Sequence, residues 1–261
     1  MEPNNEQRKI IDFDKDIIVI ANPGTGKTTT LAFKVIKLLN QGIEPEEILC
    51  ITYTDKAKNE MRQSIRDISN GQIDESILLK LNIHTFHSFA YQYLNEIGQA
   101  SGDLVGNNIL RYSILQSFEK NNVFNYSRAY LINEIVPKTE NAIRYIKNFG
   151  ITPDKIDIPK VEAELENIFD ESKSKFSLDE IKTFAKKFVS VYEDYESAKN
   201  EQIDYADMLL KFTEKYSGQK YKHVLVDEMQ DMNEIEASIV KGLYENLFLV
   251  GDSKQAIFGF Q

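Results

Sequence analysis

The sequence predicts an α/β protein on a parallel sheet, with an all-helical stretch inserted into it. Three observations carry this expectation. Short apolar runs (Ile17–Ile20, Ile48–Thr52, Leu81–His84) alternate with helix-period segments, which is the rhythm of parallel strands joined by crossover helices. The rhythm stops near Gly98, and residues from about Asp103 to Asn200 read as helices. It returns in runs that end at Val226 and Val250. The expected division is therefore residues 1–98, a helical insertion over 99–199, and residues 200–261.

The first run feeds Ala21-Asn22-Pro23-Gly24-Thr25-Gly26-Lys27-Thr28-Thr29 and then a helix with Leu31, Val35, Leu38 and Leu39 on one face. Strand, glycine loop and helix in that order are what a phosphate-binding loop requires. Gly24 and Gly26 let backbone N–H groups turn inward, and the helix aims its positive end at the same point. Lys27 suits the β/γ-phosphates, and the Thr28 hydroxyl suits Mg²⁺. Ala21 stands where the usual pattern begins with Gly. Upstream, the Gln7 amide could pair with the N6/N7 edge of adenine, or simply be solvated on a polar helix.

The second run leads into Thr52-Tyr53-Thr54-Asp55-Lys56-Ala57, where Thr54 or Asp55 suits a helix cap. The third leads into Thr85-Phe86-His87-Ser88-Phe89. These polar clusters fall at the C-terminal ends of strands, where ligands of parallel sheets gather. In the insertion, Ile109/Tyr112/Leu115/Phe118 and Phe184/Phe188/Val191/Tyr195 read as helix stripes, punctuated by Pro137, Pro153 and Pro159. No catalytic constellation stands out there. The run Tyr221–Val226 ends in Asp227-Glu228. Opposite bound phosphates, Asp227 would hold Mg²⁺ through water, and Glu228 would orient and deprotonate the attacking water. Leu247–Val250 leads into Gly251-Asp252-Ser253-Lys254-Gln255.

With 261 residues, 42% of them hydrophobic, the chain can bury a real core. Its single cysteine, Cys50, reads as a reduced core residue. The polar N-terminus lacks a signal peptide's pattern, and no apolar run nears the roughly 18 residues of a membrane span. The cytoplasm is the expected location, with no membrane partner. A net charge of -10 argues against coating nucleic acid by bulk electrostatics. It leaves room for a narrow groove with aromatic platforms.

Together the motifs resemble those of UvrD/Rep-type superfamily 1 DNA helicases over nearly the whole chain outside the insertion. Asn4-x-x-Gln7 is similar to the family's adenine-reading Q motif, with Pro3 in place of Leu. Ala21–Thr28 resembles motif I, which commonly starts with Ala; Asn22-Pro23 replaces Gly-Ala, and Thr29 stands where Arg is frequent. Thr52–Ala57 resembles the T-F-T-N-K-A single-strand contact, with Tyr53 for Phe and Asp55 for Asn. Thr85-Phe86-His87-Ser88 matches the next DNA-contact motif. Asp204-Tyr205-Ala206-Asp207 is similar to a D-F-x-D segment read as structural. Val226–Asp231 is similar to motif II and Gly251–Phe260 to motif III. In motif III the resemblance makes Gln255 a γ-phosphate sensor and Phe258 and Phe260 base-stacking groups. Gln261 falls where Arg is usual.

The resemblance implies the N-terminal RecA-like half of an ATP-dependent DNA helicase or translocase, using ATP and Mg²⁺ on single-stranded DNA and meeting the nucleoid when it acts. DNA repair, replication restart and recombination all stay open as pathways. In the family a C-terminal RecA-like domain follows, with an adenine-stacking aromatic and two arginines. The chain is thus expected to bind ATP but barely hydrolyse it, and not to unwind alone. Two alternatives stand beside this reading: a P-loop metabolite kinase, and a non-catalytic DNA- or partner-binding module with a vestigial P-loop.

Overall fold

A computed structural model describes residues 2–22, 24–99, 104–168, 176–200, 202–218 and 220–252. Among them, helix α1 (Asn5–Ile11) precedes β1 (Ile17–Ile20) and α2 (Lys27–Asn40). Then come β2 (Ile48–Thr52), α3 (Asp55–Ser69), α4 (Glu75–Lys80), β3 (Asn82–Thr85) and α5 (Phe86–Glu96). Five further helices follow: α6 (Asn107–Lys120), α7 (Arg128–Tyr130), α8 (Val136–Lys147), α9 (Ile158–Ile168) and α10 (Leu178–Ser197). Helix α11 (Tyr205–Lys215), β4 (Tyr221–Val226), α12 (Glu234–Leu243) and β5 (Tyr244–Gly251) complete the described elements. The expected fold class holds: α/β, with five parallel strands.

The sheet order is β1-β5-β4-β2-β3. Ile20 lies opposite Gly251, Val226 opposite both Leu249 and Ile51, and Thr52 opposite Thr85. Because every strand points the same way, all five C-terminal ends share one edge of the sheet. Val19, Cys50, Ile83, Leu225 and Val250 are buried with Leu31 and Val35 of α2 and Met61 and Ile65 of α3. Cys50 is fully buried, and burial followed by the Asp227 charge pushes its thiol up to about 12. Thr54 caps α3, its hydroxyl accepting from the Ala57 N–H.

Packing divides the chain into two compact units, residues 1–97 with 211–261, and residues 98–210. The division falls within α11, whereas the sequence expectation put the junction at 199/200. Asp204 and Asp207 bind Lys147, at 2.6 and 2.5 Å, inside the second unit.

That unit's core gathers Leu110, Ile114, Leu115 and Phe118 with Ile143, Phe188, Val191 and Tyr195. The expected α6 stripe is corrected, since Ile109 is 52% and Tyr112 54% exposed. A strict three-residue spacing drifts around a 3.6-residue helix, so the buried line takes mixed steps of three and four. Pro137 follows a π-helical stretch (Leu131–Ile135) in the first turn of α8, where a missing N–H costs little.

Asp204 accepts from the Ala206 and Asp207 N–H groups at the start of α11. Glu196, Asp204 and Asp207 crowd their carboxylates together, but the ammonium groups of Lys147 and Lys199 already lie among them. Burial alone would lower the Lys147 pKa, yet the three carboxylates carry it above its ordinary value. The cluster is a buried ion network, as a structural reading of this segment expects.

Candidate nucleotide and nucleic-acid site

The loop after β1 begins with the Ala21 N–H donating to the Gly251 carbonyl, 2.9 Å, which fastens it to the end of β5. Gly24 and Gly26 have φ of 74° and 81°, a left-handed backbone that costs a glycine little. A side chain at position 26 would sit 3.3 Å from the Gln7 amide nitrogen. Thr25 folds back, its hydroxyl donating to the Asn22 carbonyl at 2.7 Å. Lys27 and Thr28 then open α2, directly behind the loop. Thr29 is half-buried in the same first turn.

From the end of β4 come the acidic partners. Glu228 accepts from Lys27 Nζ at 2.7 Å, and Asp227 accepts from the Thr28 hydroxyl at 3.0 Å. Asp227 is only 3% exposed. Burial, reinforced by the neighbouring Glu228 charge, raises its pKa above the ordinary carboxylate value despite the Thr28 hydrogen bond. Its partners are a hydroxyl and the Glu228 backbone N–H, 3.0 Å, so a cation would relieve it. A carboxylate and a hydroxyl are oxygen donors suited to a hard divalent ion. Glu228 itself has φ 51°, an uncommon left-handed backbone for a non-glycine residue that costs on the order of 1–3 kcal/mol.

Gln7 is drawn into the same place. Its side-chain oxygen accepts from the Asn4 N–H, and its nitrogen donates to the Thr30 hydroxyl at 3.1 Å. A cavity of about 590 Å³ is lined by Gln7, Ala21, Asn22, Thr25, Lys27 and Thr30, within the size range of small-molecule sites. A larger groove of about 750 Å³ opens at the opposite, N-terminal ends of β2, β3 and β4, away from the loop and the acidic pair.

At the ends of β2 and β3 the expected DNA-contact residues lie side by side. Thr52 is fully buried and Phe86 is 3% exposed. The Phe86 ring meets Tyr53 edge-on at 6.2 Å. Tyr53 is half-buried, and its hydroxyl donates to Glu236 at 2.8 Å. Burial, then the Glu236 charge, raises the Tyr53 pKa; burial likewise raises that of Glu236. Thr85 and Ser88 close a capping box on α5, and His87 is half-buried beside them. Pro23, Gln255, Phe258 and Phe260 lie outside the described residues.

The geometry thus brings Gln7, Gly26, Lys27, Thr28, Asp227 and Glu228 together. The phosphate loop follows β1, whereas the acidic pair follows β4, the neighbour of β2. The Asp227 N–H donates to the Ile51 carbonyl at 3.0 Å, so the acidic pair adjoins the Tyr53 group along the sheet edge. Sequence reasoning assigned no role to Thr30, Gln230 or Glu236. Gln230 stood in the quoted motif, whereas Thr30 and Glu236 carry no local signal.

Residues 3–261 match the family described as the UvrD/REP helicase N-terminal domain. A probable DNA helicase II homolog of Mycoplasma pneumoniae is 31% identical over 272 residues, covering 98% of this chain and 35% of the relative. One from Rickettsia conorii is 27% identical over 287 residues, covering 99% of this chain and 38% of the relative. The ATP-dependent DNA helicase srs2 of Schizosaccharomyces pombe is 30% identical over 281 residues, covering 99% of this chain and 30% of the relative. This chain accordingly spans about a third of the length of these relatives. With the match extending over residues 3–261, the chain belongs to the UvrD/REP helicase N-terminal domain family.

Proposed function

We propose that this chain is the ATP-binding, N-terminal part of a DNA helicase or translocase that couples ATP hydrolysis to movement on single-stranded DNA. The observation that carries the reading is the double pairing of Lys27 with Glu228 and Thr28 with Asp227. It places a phosphate-seeking cation, a hydroxyl and two carboxylates around one loop.

Gln7 reads the adenine, and residues 21–29 wrap the phosphates, with the backbone N–H groups of Gly26, Lys27 and Thr28 among the donors. Thr28 and Asp227 hold Mg²⁺, which when bound neutralises phosphate charge. A triphosphate offers Lys27 more negative charge than one carboxylate does, so Lys27 turns from Glu228 to the β/γ oxygens. That exchange releases the Glu228 carboxylate from the ammonium group, and its other oxygen takes a proton from the attacking water. Gln255 senses the γ-phosphate. Tyr53, Thr85 and His87 face the strand, with Phe258 and Phe260 stacking on bases, while the buried Thr52 and Phe86 support them from within.

A second RecA-like domain of a longer protein supplies the arginines and the adenine-stacking aromatic. The 261-residue chain alone therefore binds Mg-ATP, turns it over slowly and unwinds nothing. The protein works in the cytoplasm, at the nucleoid when on DNA.

Calorimetry with Mg-ATP on this chain, and phosphate release by the longer protein with and without single-stranded DNA, test the reading. Binding together with DNA-stimulated release is expected. Transfer of phosphate to a metabolite without DNA stimulation would make it a kinase, and no binding would make the loop vestigial. In the longer protein, Glu228→Gln should keep ATP binding and lose about 10²–10⁴-fold in hydrolysis, the range of a lost general base. Asp227→Asn should instead raise the Mg²⁺ concentration required.

A further inference from the structure

We propose that Gln230 is the positioning residue that holds Glu228 for water activation and ties it to the end of β5. The proposal rests on the hydrolytic reading above.

Gln230 is only 7% exposed, and both ends of its amide are engaged. The nitrogen donates to Glu228 Oε2 at 2.9 Å, with Asp231 Oδ2 at 3.5 Å beside it. The oxygen accepts from the Asp252 backbone N–H at 2.8 Å. A flipped amide would set oxygen against carboxylate and N–H against N–H, so these partners determine the orientation. The 3-10 turn Met229–Asp231 returns the side chain to Glu228, whose left-handed backbone needs such outside support.

The contact also needs Gly251. A Cβ there would lie 2.5 Å from Met229 Cγ and 2.7 Å from Gln230 Oε1. The end of β5 is thereby clamped twice, by Gln230 at Asp252 and by the Ala21 N–H at the Gly251 carbonyl. One amide thus connects the acidic pair of β4 with the strand that anchors the phosphate loop.

The chemistry gives this contact its use. Glu228 Oε2 accepts from both Lys27 and Gln230. When Lys27 turns to phosphate, the Gln230 hydrogen bond is the one of these two that remains. It keeps the carboxylate aimed while leaving the other oxygen for water.

The test compares the 261-residue chain with Gln230→Ala, which removes both contacts, and Gln230→Glu, which keeps an acceptor for Asp252 but no donor for Glu228. In ligand-free amide exchange, Asp252 should exchange about tenfold faster in the Ala variant and near the wild-type rate in the Glu variant. In single-turnover hydrolysis both variants should slow about 10- to 100-fold, the scale of an ångström-level misplacement. Mg-ATP affinity of the Ala variant should stay within about threefold, a split between rate and binding that general loosening does not produce. Wild-type hydrolysis in either folded variant overturns the proposal. So does a joint fall of rate, affinity and melting temperature in the Ala variant. If the unsubstituted chain binds no Mg-ATP, the underlying reading fails first, visibly, before any substitution is made.

Discussion

Lys27 and Glu228 stand 201 positions apart in the chain and 2.7 Å apart in the structure. Their side chains are 8% and 35% exposed, so the pair is partly desolvated and its charge-assisted hydrogen bond is stronger than a surface contact. Lys27→Ala removes the mobile cation of the loop. A hydrogen bond to a charged group is worth about 1.5–3 kcal/mol, so Mg-ATP affinity should fall by about 10- to 100-fold. Calorimetry checks this, and unchanged affinity in a folded variant would remove Lys27 from the site. The residue types were legible because a phosphate loop announces itself locally, through Gly26-Lys27-Thr28 after an apolar strand. Thr30 was not legible. Its hydroxyl matters because Gln7, on another helix, reaches it.

At the scale of elements, the residue that follows β2 meets α12 through the Tyr53–Glu236 hydrogen bond. The Tyr53 ring is expected to serve as a base platform, and its hydroxyl to satisfy a carboxylate that is only 5% exposed. The two functions separate by substitution. Tyr53→Phe should cost about 1–2 kcal/mol of stability, the scale of a buried acceptor losing a donor, with DNA affinity per folded molecule unchanged. Tyr53→Ala should in addition lose about 1–3 kcal/mol of single-strand affinity. Denaturant melts and fluorescence titration with an oligonucleotide check the pair, and equal DNA affinity in both variants would retire the platform. Helix α6 shows where element reading slips. Its existence was plain and Leu115 and Phe118 are inside as expected, but Ile109 and Tyr112 face solvent while Leu110 and Ile114 fill the core.

Across the whole molecule, stability draws on two separate sets of buried charge. In the helical unit, Lys147 is 2% exposed among Asp204, Asp207 and Glu196. Lys147→Met leaves three carboxylates with Lys199 as their one remaining ammonium partner among the described residues and should cost about 3–5 kcal/mol, as breaking buried pairs does. Urea unfolding monitored at probes within residues 98–210 measures it. In the sheet unit, burial, with Arg62 and Lys58 nearby, lowers His84 to about 4. The unfolded histidine titrates near 6.5, so between these values the unfolded chain binds more protons. The His84 contribution is therefore complete above about pH 6.5 and is lost as pH falls toward 4. His84→Phe should remove that dependence, changing the wild-type minus variant stability difference by about 2 kcal/mol between pH 7 and 4 after allowing for partial exposure. Taking the difference cancels the opposite-signed effect of Asp227 and Glu236, whose pKa values burial raises. A pH-independent difference would contradict the assignment.

The sequence by itself determined the parallel α/β class, the phosphate loop and the acidic strand end. Each is written in a short window: β-rich apolar runs, two glycines before Lys27, Asp227-Glu228 after Val226. Only the tertiary structure decided the order β1-β5-β4-β2-β3, and with it that the end of β5 lies between the phosphate loop and the acidic pair. Backbone donors and acceptors are the same on every strand, so neighbours are chosen by long-range packing that no local window records. For the same reason Gln230, Gly251 and Asp252 read as fragments of two motifs in the chain. Folding closes them into one hydrogen-bonded contact.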